Sequence, residues 1–207
     1  MTKIKICGLY RSCDVEYVNQ AQPDYCGFVI NFPKSHRNLT PGQTRELRAG
    51  LSRRVTPVGV FVDSPAESVA ELLNDGTIAV AQLHGHEDDA YIAQLRSLLT
   101  GHKLWPSQGI WKAFKIRTAA DLDGANASAA DMVLLDNGYG TGETFDWSLA
   151  GSVRRPFLLA GGLTPENIPA AVRQLRPYGL DLSSGVETDR KKDPAKILAA
   201  VAAARKE

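Results

Sequence analysis

Two side chains in distant parts of the 207-residue sequence are of types suited to proton transfer: Cys7, in the run KIKICGL (3–9), and Asp136, which closes DMVLLD (131–136). Successive side chains of a strand alternate, so Ile4 and Ile6 share one face and Lys5 and Cys7 the other. A cysteine alone most often serves as a small core hydrophobe. Lys5 on the same face opens a second reading, because a nearby cation favours the thiolate, the nucleophilic and basic form. Asp136 stands where an apolar run gives way to NGYGTGETFDW. An aspartate there commonly starts a turn, yet a carboxyl at that point can also donate a proton to a substrate oxygen. Glycines 138, 140 and 142 suit the following loop to folding over a ligand.

The remaining signals concern anions. AGGLTPEN (160–167) and DLSSGVET (181–188) each follow an apolar run. Their glycines let backbone N–H groups approach a phosphate closely, and the helix starts beyond them add a favourable dipole. Ordinary turn glycines with helix-capping serines are the competing reading. In NFPKSHRNLTP (31–41), Arg37 could grip a carboxylate with two parallel hydrogen bonds, or could simply be solvated. His84 and His86 in QLHGH raise the question of a metal, but no third ligand stands at useful spacing, so both read as polar rim residues and no metal site is expected. Trp105, Trp111 and Trp147 read as packing groups.

What could position these residues is a repeated strand–helix pattern. Eight short apolar runs rich in β-branched residues span 3–7, 25–30, 55–62, 78–84, 110–116, 131–136, 157–162 and 179–185, with helix-like stretches between them. A capping residue followed by proline marks helix starts at Thr40-Pro41, Ser64-Pro65, Thr164-Pro165 and Asp193-Pro194, and Ser64 with Glu67 spells a capping box. The alanine-rich segment 194–205 predicts a closely packed helix, whereas the sixth unit has only FDWSLAGS (145–152) left for its helix. Eight evenly spaced units favour an α/β fold closed into a (β/α)₈ TIM barrel over an open doubly wound sheet, which commonly has five or six parallel strands. In a barrel, functional groups sit at strand C-termini and in the loops that follow, where the residues singled out above all lie.

Composition narrows the partners. Lys plus Arg number 24 against 23 Asp plus Glu, giving a net charge of +1 and no electrostatic reason to expect nucleic acid or an anionic membrane. Neither a signal peptide nor an apolar run of bilayer length is visible, so the expectation is a cytoplasmic protein. Cys7, Cys13 and Cys26 cannot pair evenly and read as free thiols of a reducing compartment. No linker divides 1–207, so a single domain is expected. No apolar surface stripe stands out, so the expected state is a monomer.

Six ordered stretches closely resemble the phosphoribosylanthranilate isomerase family of tryptophan biosynthesis: KICG (5–8), FPKSHR (32–37), QLHG (82–85), LLD with GTGETFDW (134–147), LAGGL (159–163) and DLSSGVE (181–187). The stretch GHKLWPSQGIWKAF, longer and richer in tryptophan than expected, departs from the pattern. The resemblance implies an Amadori rearrangement of N-(5-phosphoribosyl)anthranilate to 1-(2-carboxyphenylamino)-1-deoxyribulose 5-phosphate, with no cofactor. It implies Cys7 as general base and Asp136 as general acid. It also implies Arg37 as binder of the anthranilate carboxylate and Gly161, Gly162, Ser183, Ser184 and Gly185 as the phosphate loops. His84 and Asp181, inside the matching motifs, are expected to line the substrate. Beyond the family pattern, Lys5 is expected to pair with Asp181 inside the barrel, because an unpaired ammonium is expensive to bury.

Two rivals are distinguishable. The related histidine-pathway isomerase acts on a substrate with phosphates at both ends, which calls for a second glycine-rich loop in the first half of the chain; Arg37 and prolines stand there instead. A non-catalytic phosphometabolite-binding module would have no use for a thiol and a carboxyl flanking the mouth.

Overall fold

In a computed structural model describing residues 1–100, 109–136 and 152–206, the eight apolar runs form eight parallel strands. They are β1 (Lys3–Cys7), β2 (Tyr25–Ile30), β3 (Thr56–Phe61), β4 (Val80–Leu83), β5 (Gly109–Lys115), β6 (Met132–Asp136), β7 (Phe157–Leu159) and β8 (Gly179–Leu182). Each pairs with the next, and β8 returns to β1 with Lys5 opposite Asp181, closing the barrel. Between strands lie α1 (Ser12–Ala21), α2 (Pro41–Ala49), α3 (Ala66–Asn74), α4 (Asp89–Ser97), α5 (Asp121–Ala127) and α6 (Ile168–Leu175), and α7 (Pro194–Lys206) follows β8. The helix expected over 145–152 falls almost wholly outside the described residues, as do Trp105, Trp147 and glycines 138, 140 and 142.

Strand alternation sorts the apolar residues into two layers. Ile4, Ile6, Phe28, Leu83 and Val133 face the helices and pack with Val15, Val18 and Val201, while Tyr25, Val58, Val80, Trp111, Leu134 and Leu158 fill the barrel interior. Each such buried side chain contributes about 1.5–3 kcal/mol relative to exposure. Tyr25 and Trp111 meet edge to face with ring centroids 5.0 Å apart, the packing role expected for that tryptophan. Among the described residues these side chains plug the lower interior, and a cavity opens at the C-terminal end of the barrel.

The helix starts divide. Thr40 Oγ1 accepts from Gln43 N at 3.2 Å while Gln43 Oε1 accepts from Thr40 N at 2.8 Å, a reciprocal capping box. Asp193 Oδ1 accepts from Ala195 N and Lys196 N. The box expected at Ser64 and Glu67 does not form. Pro65 takes an extended conformation as the cap itself, which sets Ser64 one residue too far back, and Glu67 accepts instead from Gln94 Nε2. At Thr164 the helix begins only at Ile168, after a turn that Asn167 organises by accepting from Thr164 N and donating to Gly162 O.

Two small features extend the expected pattern. Asn38–Leu39 adds a two-residue strand beside β2, and Glu187–Thr188 pairs with Lys191–Lys192 in a hairpin. Asp189 and Arg190 both adopt left-handed φ, 51° and 61°, as a two-residue hairpin turn that matches strand twist requires. Among the described residues no helix is long and apolar enough to cross a membrane.

Candidate active site

Nine of the ten candidate residues, Cys7, His84, Asp136, Gly161, Gly162, Asp181, Ser183, Ser184 and Gly185, line one cavity of about 250 Å³ at the C-terminal end of the barrel, together with Gln82 and apolar Phe32, Val60 and Leu163. The tenth, Arg37, stands beside it.

Cys7 ends β1 at 8% exposure, facing the cavity rather than sealed in the core. Across the sheet it pairs with Gly27, where a Cβ would come within 2.8 Å of Cys7 Sγ and 3.2 Å of Lys5 Cε. Below it, fully buried Lys5 places Nζ 2.9 Å from Asp181 Oδ1, the ion pair expected inside the barrel. Burial works against the Lys5 ammonium, but Asp181 and Cys7 outweigh it and hold the group protonated. Burial pushes the Cys7 thiol above its ordinary value; Lys5 pulls it back without cancelling, and Asp181 adds to the rise. Lys5 thus acts in the expected direction, yet desolvation outweighs it.

On the far side of the mouth, Gln82 Nε2 lies 3.2 Å from His84 Nδ1, and His84 Nε2 lies 3.5 Å from Asp136 Oδ2. His84 is thereby a neighbour of Asp136 as well as a cavity wall. His86 points away and pairs with Asp63 at 3.0 Å.

The loops after β7 and β8 meet backbone to backbone. Gly161 and Gly162 take φ of 87° and 63°, which ends β7 early, and a Cβ at Gly185 would sit 1.8 Å from Leu163 O. Ser183 Oγ donates to Cys7 O at 3.2 Å, tying the β8 loop to the base of the site.

Arg37 has an internal partner that sequence reasoning did not foresee. Its fork is engaged within the protein, Nε to Glu187 Oε1 at 2.7 Å and Nη2 to Oε2 at 2.6 Å, and it passes over Gly8, where a Cβ would fall 2.3 Å from Arg37 Cδ. Gly8 also has a left-handed φ of 81°. Glu187 additionally accepts from Lys192 Nζ at 2.6 Å. Burial pushes the Glu187 carboxyl up, but Arg37 and Lys192 outweigh it and bring it down to about 2.

Sequence reasoning missed Gln82, Gly27, Glu187 and Lys192. Gly27 was visible as a break in YCGFVI, and Glu187 as the last residue of DLSSGVE. Lys192 carried no signal, because DRKKDP reads as a solvated charge run.

Residues 4–203 match the family described as N-(5'phosphoribosyl)anthranilate (PRA) isomerase. The chain is 40% identical over 205 residues to N-(5'-phosphoribosyl)anthranilate isomerase of Acetivibrio thermocellus, covering 95% of this chain and 93% of that protein. Among solved structures it is similar to the monomers generated from dimeric phosphoribosylanthranilate isomerase of Thermotoga maritima, at 31% identity and a TM-score of 0.83 over 100% of both chains. A phosphoribosylanthranilate isomerase in complex with reduced 1-(o-carboxyphenylamino)-1-deoxyribulose 5-phosphate is 30% identical, with a TM-score of 0.82 over 100% of both chains.

Proposed function

The chain belongs to the N-(5'-phosphoribosyl)anthranilate isomerase family, and from that premise we propose that Cys7 and Asp136 are its base and acid. It is an isomerase of tryptophan biosynthesis on a (β/α)₈ barrel, converting N-(5-phosphoribosyl)anthranilate to 1-(2-carboxyphenylamino)-1-deoxyribulose 5-phosphate.

The observation that carries the residue assignment is that Cys7 on β1 and Asp136 on β6 border one cavity whose other rim is the paired glycine loops after β7 and β8. Asp136 donates its proton to the furanose ring oxygen. The bond from that oxygen to C1 breaks, and the nitrogen lone pair forms the iminium. The Cys7 thiolate then takes the proton from C2, and the released pair forms the C1–C2 double bond of the enolamine. Tautomerisation moves the O2 proton to C1 and gives the ketone. One proton leaves the acid and one reaches the base, so exchange with solvent resets both. Acid and base groups of this kind each contribute about 10²- to 10⁴-fold.

Gly161, Gly162, Ser183, Ser184 and Gly185 hold the phosphate, and His84 and Asp181 line the sugar. Arg37 takes the anthranilate carboxylate with the N–H donors that Glu187 does not use. The protein works as a single domain spanning 1–207, in the cytoplasm, on a small phosphoribosyl substrate without nucleic acid, and as a monomer. Sedimentation equilibrium of the purified protein checks the last point, with a dimer as the contrary result.

Generating phosphoribosylanthranilate in situ and following loss of its fluorescence tests the activity. The protein accelerates decay over the spontaneous background; a rate equal to background contradicts the assignment and favours a binding module.

A further inference from the structure

Glu187 and Lys192, behind the β8 loop, take no part in the reaction as described, although Glu187 holds Arg37. The Glu187 side chain is 5% exposed, and its two oxygens receive Arg37 Nε and Nη2 as a fork. Lys192, with a fully buried side chain, donates from Nζ to Glu187 Oε1 at 2.6 Å and to Ser183 O at 3.0 Å. The hairpin turn at Asp189 and Arg190 is what returns Lys192 from an exposed run to this position, in register with Glu187. Ser183 in turn holds Cys7 O.

We infer that Glu187 is a positioning residue that fixes two anion-binding parts of the site at once, the Arg37 guanidinium directly and the phosphate loop at Ser183 through Lys192. The inference rests on the reading of Arg37 given above. Two parallel hydrogen bonds set the plane of the guanidinium, which a single bond would leave free to rotate. The missing side chain at Gly8 gives Arg37 the room to lie in that plane. Arg37, Lys192 and Glu187 together carry two positive charges and one negative, so the cluster keeps a net positive charge beside the place where the phosphate and carboxylate of the substrate arrive. Glu187 is therefore placed to couple the two ends of the ligand.

The test uses Glu187→Gln, the double variant Glu187→Gln/Lys192→Met, which leaves no lone buried ammonium, and Arg37→Lys. Steady-state kinetics are measured alongside competitive inhibition by inorganic phosphate and by the reduced product analogue. A positioning role predicts that both Glu187 variants raise KM and the analogue inhibition constant about tenfold, raise the phosphate constant several-fold, and keep kcat within about threefold. Arg37→Lys raises the analogue constant and leaves the phosphate constant unchanged. Glu187 variants with unchanged KM and inhibition constants, or with kcat alone reduced, overturn the inference. An analogue constant unchanged in Arg37→Lys removes the Arg37 reading; one raised there and unchanged in the Glu187 variants removes only the role of Glu187.

Discussion

Lys5 Nζ and Asp181 Oδ1 lie 2.9 Å apart inside the barrel, and Cys7 stands two residues beyond Lys5 on the same face of β1. Removing one partner leaves a buried charge without compensation, which typically costs about 3–5 kcal/mol, whereas removing both leaves none. Asp181→Asn therefore unfolds at lower urea than the double variant Lys5→Met/Asp181→Asn. Equal midpoints would show that the pair carries no such asymmetry.

The same lysine acts on the thiol proposed as the base. Burial holds the Cys7 thiol above its ordinary value while Lys5 pulls it down, so the thiolate fraction grows with rising pH and kcat/KM rises with it through the neutral and alkaline range. Lys5→Met removes the downward pull, and the rising limb moves to higher pH. Thiolate ultraviolet absorbance, with Cys7→Ala as blank, follows the same group without turnover. A limb that stays put or moves to lower pH in Lys5→Met contradicts this account of Lys5.

Gly27 makes room for the sulfur. A Cβ there would stand 2.8 Å from Cys7 Sγ, so Gly27→Ala displaces the thiol or strains the sheet. Overpacking of this kind typically costs about 1–3 kcal/mol, and misplacing a reacting group by about 1 Å can cost about 10²-fold in rate. The variant folds with a lowered melting temperature and loses about 10²-fold in kcat. Full activity would mean that the sulfur need not sit where the structure has it.

Glu187 links the site to acid stability. Its carboxyl falls from 4.5 to about 2 on folding, so its contribution, on the order of 3 kcal/mol, is fully present above the unfolded value and lost as pH falls through the folded one. Urea midpoints measured from about pH 5 to pH 2 decline steeply in the parent protein and less steeply in Glu187→Gln. Parallel declines would place the acid sensitivity elsewhere.

How much of this was legible follows from what local pattern can carry. Period-two alternation in KIKIC sufficed to put Lys5 and Cys7 inside the barrel, and strand order then brought Asp181 beside Lys5. Strand ends located Asp136 and both glycine loops, because a barrel gathers the ends of distant strands at one mouth. The Ser64 cap misled because the rule assumes proline at the first helical position, and Pro65 sits at the cap. Arg37 was found, but its partner Glu187 is 150 positions away and no local pattern pairs them. Lys192 was hidden for another reason: its hairpin turn uses Asp189 and Arg190 where glycine or asparagine would have announced it.

The central claim is that a thiol on β1 and a carboxyl on β6 divide the proton transfers of one rearrangement. The most direct test is turnover of phosphoribosylanthranilate by Cys7→Ala and Asp136→Asn, with binding of the reduced product analogue measured on the same preparations. The account predicts that each variant retains analogue binding within a few-fold and loses about 10²- to 10⁴-fold in kcat. Near-normal kcat in either variant would contradict it.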